Sequence, residues 1–150
     1  NSMKNCVFCD IVSGKIQAHK IYEDMKYIAI LDIHPNTSGQ TLIITKKHYP
    51  SYVFKMNERK YLDLMKVSKK IAILLDNKLK VKRTAMVMEG MGIDHAHIKL
   101  YPLHGLNKEF KEIWAKKRIF FDKYKGYITT LMGPEIKKEH LKKISKKIRG

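Results

Sequence analysis

Cysteine is almost absent from this 150-residue chain: two occur, Cys6 and Cys9, both near its start. That count excludes a scaffold stapled by several disulfides. No apolar run approaches the ~20 residues that cross a bilayer, and no apolar signal segment opens the chain, so it reads as a cytoplasmic protein with no membrane partner. Asn1 and Ser2 ahead of Met3 read as a tag remnant. Internal repeats and low-complexity linkers are absent as well. Acidic residues number 14 against 31 Lys plus Arg, and arginine occurs only at positions 59, 83, 118 and 149. The positive charge is therefore almost all lysine.

What is present suffices for one domain, because 44% hydrophobic content over this length can bury one core. The formal net charge of +17 is unevenly spread. Residues 1–105 hold 17 Lys/Arg against 9 Asp/Glu and residues 106–150 hold 14 against 5, so the last 45 residues supply +9. A positive field favours anionic ligands, nucleotides or nucleic acid. A solvated, lysine-biased surface is the plainer reading of the same composition.

The periodicity alternates short elements. Val7, Phe8, Ile11 and Val12 recur at helical spacing and stop at Gly14, which predicts a short first helix. Tyr27–Leu31 and Thr41–Ile44 are apolar, partly β-branched runs separated by turn residues, which predicts strand, loop, strand. Asn57 is a candidate N-cap for a long helix from Glu58 to about Lys78, with Leu62, Met65, Ile71, Leu74 and Leu75 on its apolar face. Two further strands are expected, Thr84–Met88 and His95–Tyr101. In the second, Ala96, Ile98 and Leu100 fall on one face and His95, His97, Lys99 and Tyr101 on the other. After Pro102 the pattern turns helical again, with Trp114 as an anchor, and Pro134 opens a final basic helix. The expected fold is α+β, an antiparallel sheet with one long helix and helical additions at both ends.

Cys6-x-x-Cys9 is a metal-ligand pair or a redox motif in an intracellular chain. A redox motif should follow a buried strand, whereas this pair opens the chain, which favours metal. Farther on, His95 and His97 alternate, and Lys99 stands where the rhythm would place a third histidine. Residues i and i+2 of a strand set their side chains roughly 6.5–7 Å apart at their bases, so the two histidines could share a metal or take different tasks on one surface. Packed or surface histidines are the alternative. Cys6, Cys9, His48 and His95 together supply the two thiolates and two imidazoles that tetrahedral zinc prefers. Their spacing is not that of a zinc finger, so only the fold could gather them.

Several ordered motifs then converge. Cys6-Val7-Phe8-Cys9-Asp10-Ile11-Val12-Ser13-Gly14, Ile30-Leu31-Asp32-Ile33-His34-Pro35, Gly39 to His48 and His95-Ala96-His97 resemble the histidine triad (HIT) family, over roughly residues 4–105. Residues 106–150 lie outside that core and read as a basic extension packed on it. The resemblance implies a nucleotide hydrolase acting at the α-phosphate of dinucleoside polyphosphates or nucleoside phosphoramidates through a nucleotidyl-His97 intermediate. It implies Asp32 as the carboxylate for the ribose hydroxyls, and Val7, Phe8, Ile11, Ile30 and Ile33 around a purine base, adenine by preference. It further implies a structural zinc on Cys6, Cys9, His48 and His95, and a homodimer.

Four departures accompany the match. Lys99 replaces the third triad histidine, Gln40 stands at a nucleotide-site position where many members have histidine, Met88 replaces a common asparagine, and the Gly90-Met91-Gly92 loop is short. Together they are expected to remove hydrogen-bond donors from the phosphate, with the Lys99 ammonium reaching it instead and nearby His104 supplying a proton where one is required. Two other readings stay open: a nucleotidyltransferase or phosphorylase using the same intermediate, and a nucleic-acid-associated or inactive nucleotide-binding member whose basic tail docks DNA or RNA.

Overall fold

Five strands carry the first unit of the molecule: β1 Lys20–Glu23, β2 Tyr27–Leu31, β3 Thr41–Thr45, β4 Thr84–Val87 and β5 His97–Pro102. They form one antiparallel sheet in the order β1-β2-β3-β5-β4. The computed structural model describes residues 5–107, 109–111 and 113–150. The chain divides into two units, Asn1–Lys108 and Glu109–Gly150.

Both faces of the central strands are covered, which explains why β2 and β3 read as continuous apolar runs. On one face Tyr27, Ala29, Ile43, Ile98 and Leu100 pack against Leu64, Val67, Ile71 and Leu75 of helix α2, Glu58–Leu79. On the other, Ile28, Ile30 and Ile44 meet Cys6, Phe8, Cys9 and Ile11 from helix α1, Val7–Ser13, and its N-cap. Each fully buried Ile or Leu contributes roughly 1.5–3 kcal/mol. This packing also fixes register, because a one-residue slip would send every side chain to the opposite face. Ile44 pairs with His97 and Leu42 with Lys99, so both site residues project to the α1 face.

Helix α2 starts as its sequence predicts. The Asn57 side chain accepts the N–H groups of Arg59 and Lys60 at 3.0 and 3.4 Å, satisfying two donors that the helix itself cannot. Its buried stripe is Leu64, Val67, Ser68, Ile71 and Leu75. Leu62, expected on the apolar face, is instead exposed. The β2–β3 loop presses on the end of this helix at Gly39, where φ is +85° and a Cβ would lie 2.4 Å from Leu79 Cδ1. The left-handed backbone favours glycine there, and any Cβ would also have to displace the end of the Leu79 side chain.

Other expectations need correction. β1 has no apolar run to announce it; its pattern is only half-buried. The strand expected from His95 begins at His97, with His95 in the bend before it. Among the described residues, 103–137 form no helix, and Trp114 is exposed, with the Arg118 guanidinium over its ring at 5.3 Å. The final helix, α3, spans Lys138–Arg149 and buries none of its residues. Among the described residues no helix is long and apolar enough to cross a membrane.

Candidate active site and metal centre

Four side chains from three distant segments meet at the amino end of α1. Cys6 is the N-cap of that helix and accepts the Cys9 N–H at 3.5 Å, so the turn itself puts both thiols on one side. His48 follows β3 and His95 precedes β5; backbone bonds from Thr45 N to Ala96 O (3.3 Å) and from Ala96 N to Tyr49 O (2.8 Å) hold these segments together. The four ligand atoms lie within 4.8 Å of one another, a group that could hold a metal ion. His95 Nδ1 is 3.4 Å from Cys6 Sγ and 3.5 Å from Cys9 Sγ, and His48 Nδ1 is 3.4 Å from Cys9 Sγ. A tetrahedral ion with metal–sulfur and metal–nitrogen bonds of about 2.3 and 2.0–2.1 Å has S···N edges of about 3.5 Å, so the residues fit such an ion.

His95 is prepared for that task. Its Nε2 lies 2.7 Å from the Thr45 carbonyl, which can only accept, so Nε2 carries the proton and the lone pair of Nδ1 faces the thiols. Burial is the main cause holding its pKa below the ordinary value, which keeps the ring neutral.

His97, two residues on, makes the same bond with the opposite nitrogen. Nδ1 donates to the His95 carbonyl at 2.7 Å, which leaves the lone pair on Nε2. The ring is 5% exposed and packs edge-on to Phe8 with centroids 5.0 Å apart. Burial lowers its pKa; the bond to His95 opposes this, and the nearby charge of Lys99 lowers it further. A buried, neutral imidazole with one fixed nitrogen and one available lone pair can act as a nucleophile.

A family model described as the HIT domain matches residues 13–105. The chain belongs to the HIT domain family. An uncharacterized HIT-like protein of Mycoplasma genitalium is 34% identical over 116 residues, covering 73% of this chain and 81% of that one. A HIT family hydrolase from Clostridium thermocellum shares the fold at a TM-score of 0.61 and 28% identity, covering 75% of this chain and all of the other. A Zn-bound histidine triad family protein from Mycobacterium smegmatis matches at a TM-score of 0.63 and 30% identity, over 69% of this chain and 78% of its own.

Within this HIT domain most of the residues singled out in the sequence come together. Phe8, Ile11 and Ile30 join one buried cluster on the His97 face, while Val7 and Ile33 lie outside it and are exposed, Ile33 at 77%. Lys99 is half-buried on that same face. Asp32 follows β2 directly, with its carboxylate already engaged: Oδ1 accepts the His34 N–H and Oδ2 accepts the Gln40 amide, both at 2.8 Å. Gln40 is buried and its Oε1 accepts the Asn36 N–H at 2.9 Å, so it braces the β2–β3 loop and orients Asp32. His104 donates from Nε2 to the Ser38 carbonyl at 2.7 Å, tying the end of β5 to the same loop. Sequence reasoning missed Thr45, whose carbonyl sets the His95 tautomer; a main-chain acceptor leaves no residue-type signal.

Proposed function

We propose that this HIT protein is a nucleotide hydrolase that attacks the α-phosphate of a dinucleoside polyphosphate or nucleoside phosphoramidate and releases a nucleoside monophosphate. The observation that carries the reading is the bond from His97 Nδ1 to the His95 carbonyl, which leaves the Nε2 lone pair for attack in a buried setting. Nε2 forms a bond to the α-phosphorus, and the bond to the leaving group breaks, its electron pair departing with that group. Water then attacks the same phosphorus, the N–P bond breaks with its electron pair returning to Nε2, and the water's proton passes to the phosphate of the released monophosphate or to solvent. The Lys99 ammonium, on the same face, stabilises the charge that develops on the phosphate oxygens.

Recognition falls to the adjoining side chains. Asp32, held by Gln40 and the His34 N–H, accepts the ribose hydroxyls. Phe8, Ile11 and Ile30 form the buried floor against which a purine base rests, with Val7 and Ile33 as flanks. Adenine and a homodimeric state belong to the same proposal. Cys6, Cys9, His48 and His95 would hold a structural zinc, whose four places they fill, tying α1 to the sheet. His95 thereby anchors the carbonyl that orients His97.

The test is His97→Ala. Nucleotide release should fall to background while calorimetry still detects adenosine monophosphate binding, since base and ribose contacts lie elsewhere. Wild-type turnover by the variant would end the covalent reading.

A further inference from the structure

On the α2 face of the sheet, opposite His97, a cleft of about 500 Å³ opens between the end of β3 and the start of α2. Five of its lining residues are cations, Lys26, Lys46, Lys47, Arg59 and Lys60, against one carboxylate, Asp63. Asp63 is already paired with Lys26 at 2.9 Å, and Lys46 pairs with Glu23 at 3.0 Å. The net field in the cleft is therefore positive. A second cleft of about 270 Å³ adjoins it, sharing Tyr49, Met56, Asn57 and Lys60 and adding Tyr52 and Lys55. Together they make one continuous groove past Tyr49, Met56, Asn57 and Lys60.

Aromatic faces are interleaved with these cations. Tyr49 carries Lys60 Nζ at 4.6 Å and Lys47 Nζ at 5.7 Å from its ring centroid. Tyr52 and Phe54 are 53% and 66% exposed and meet edge to face at 5.8 Å. An exposed aromatic pair beside a basic groove has no role in the core. A compact anion such as phosphate would need the cations but not the rings. A chain of nucleotides uses both: phosphates track the positive groove, and bases stack on the rings, each stack contributing ~1–3 kcal/mol regardless of sequence.

We propose that this groove binds single-stranded nucleic acid, with phosphates held by Lys47, Arg59 and Lys60 and bases stacked on Tyr52 and Phe54. The site is separate from the nucleotide pocket and does not rest on the hydrolase reading. It also differs from the basic tail, since it lies wholly within the first unit.

The probe is a fluorescent oligo(dT) of about twenty nucleotides, titrated with the full chain and read by anisotropy at several salt concentrations. Binding should weaken steeply with salt, with a log–log slope of about −0.7 for each phosphate neutralised. Tyr52→Ser with Phe54→Ser, changes at exposed rings, should weaken binding at least about 5-fold. Lys47→Gln with Lys60→Gln should make the slope shallower by about 1.4. Adenosine monophosphate should not displace the oligonucleotide, and hydrolase turnover should be unchanged in both variants. Four results would overturn the proposal: no binding at low salt, wild-type affinity and slope in both folded variants, displacement by adenosine monophosphate, or a tighter grip on inorganic polyphosphate or a phosphopeptide that ignores loss of the rings.

Discussion

Lys99 stands two residues beyond His97 on the same face of β5, paired across the sheet with Leu42 and Val87. An ammonium supplies three donors and a full charge to a phosphate, and it acts there as a point charge rather than as the proton-passing imidazole a third histidine would bring. It suits leaving groups that depart as anions, such as polyphosphates, better than amines that must be protonated. Lys99→Ala should therefore lower kcat by roughly 10²–10³, as loss of one oxyanion-type donor does. Lys99→His should shift preference toward phosphoramidates. Kinetics with one substrate of each kind decide the point, and wild-type kcat on both for Lys99→Ala would reduce Lys99 to a solvated neighbour. At this scale the sequence was informative where grouping depends on residue type: Cys6, Cys9, His48 and His95, read as a possible ligand set, do meet in the fold. Gln40 was readable as a position beside the nucleotide site, but its clamp on Asp32 was not, because that contact exists only once the 32–40 loop has closed.

At the scale of elements, the cluster of Cys6, Cys9, His48 and His95 is the joint between α1 and the sheet. α1 is only 7 residues long and would be marginal alone. Its retention depends on Phe8 and Ile11 in the core and on Cys6 and Cys9 at the ligand cluster. Elemental analysis should return close to one zinc per chain, and a chelator should lower Tm, because metal binding is coupled to folding. Metal-free protein with unchanged melting would contradict the assignment. The strands Tyr27–Leu31 and Thr41–Thr45 were legible because they are buried on both faces and so carry unbroken apolar runs. Lys20–Glu23 was not, since a half-buried outer strand of four residues has too little pattern. The helix expected after Pro102 failed for a related reason: apolar residues such as Ile113 and Trp114 are exposed there, so their spacing reflects no buried face.

Across the whole molecule, the charge of +17 is borne by both units, and part of the chain's response to alkali can be traced to Tyr27. Burial, aided by the charges of Asp63 and Asp24, pushes Tyr27 from the ordinary 10.0 to about 12. A raised folded-state pKa means that its contribution is complete below pH 10 and is lost as pH rises through about 12. Stability should fall across that window, and Tyr27→Phe should fall less over the same range, as measured by thermal melts at stepped pH. Equal losses in the two proteins would remove Tyr27 from the account.

The central claim is that His97 takes the nucleotide before water does, and the stereochemical course at the α-phosphorus tests it most directly. A substrate made chiral there with sulfur and an oxygen isotope, hydrolysed in labelled water, reports the number of displacements. Two in-line displacements, one by His97 Nε2 and one by water, predict net retention. Net inversion would mean that water attacks in a single step, and the nucleotidyl-His97 intermediate would be wrong.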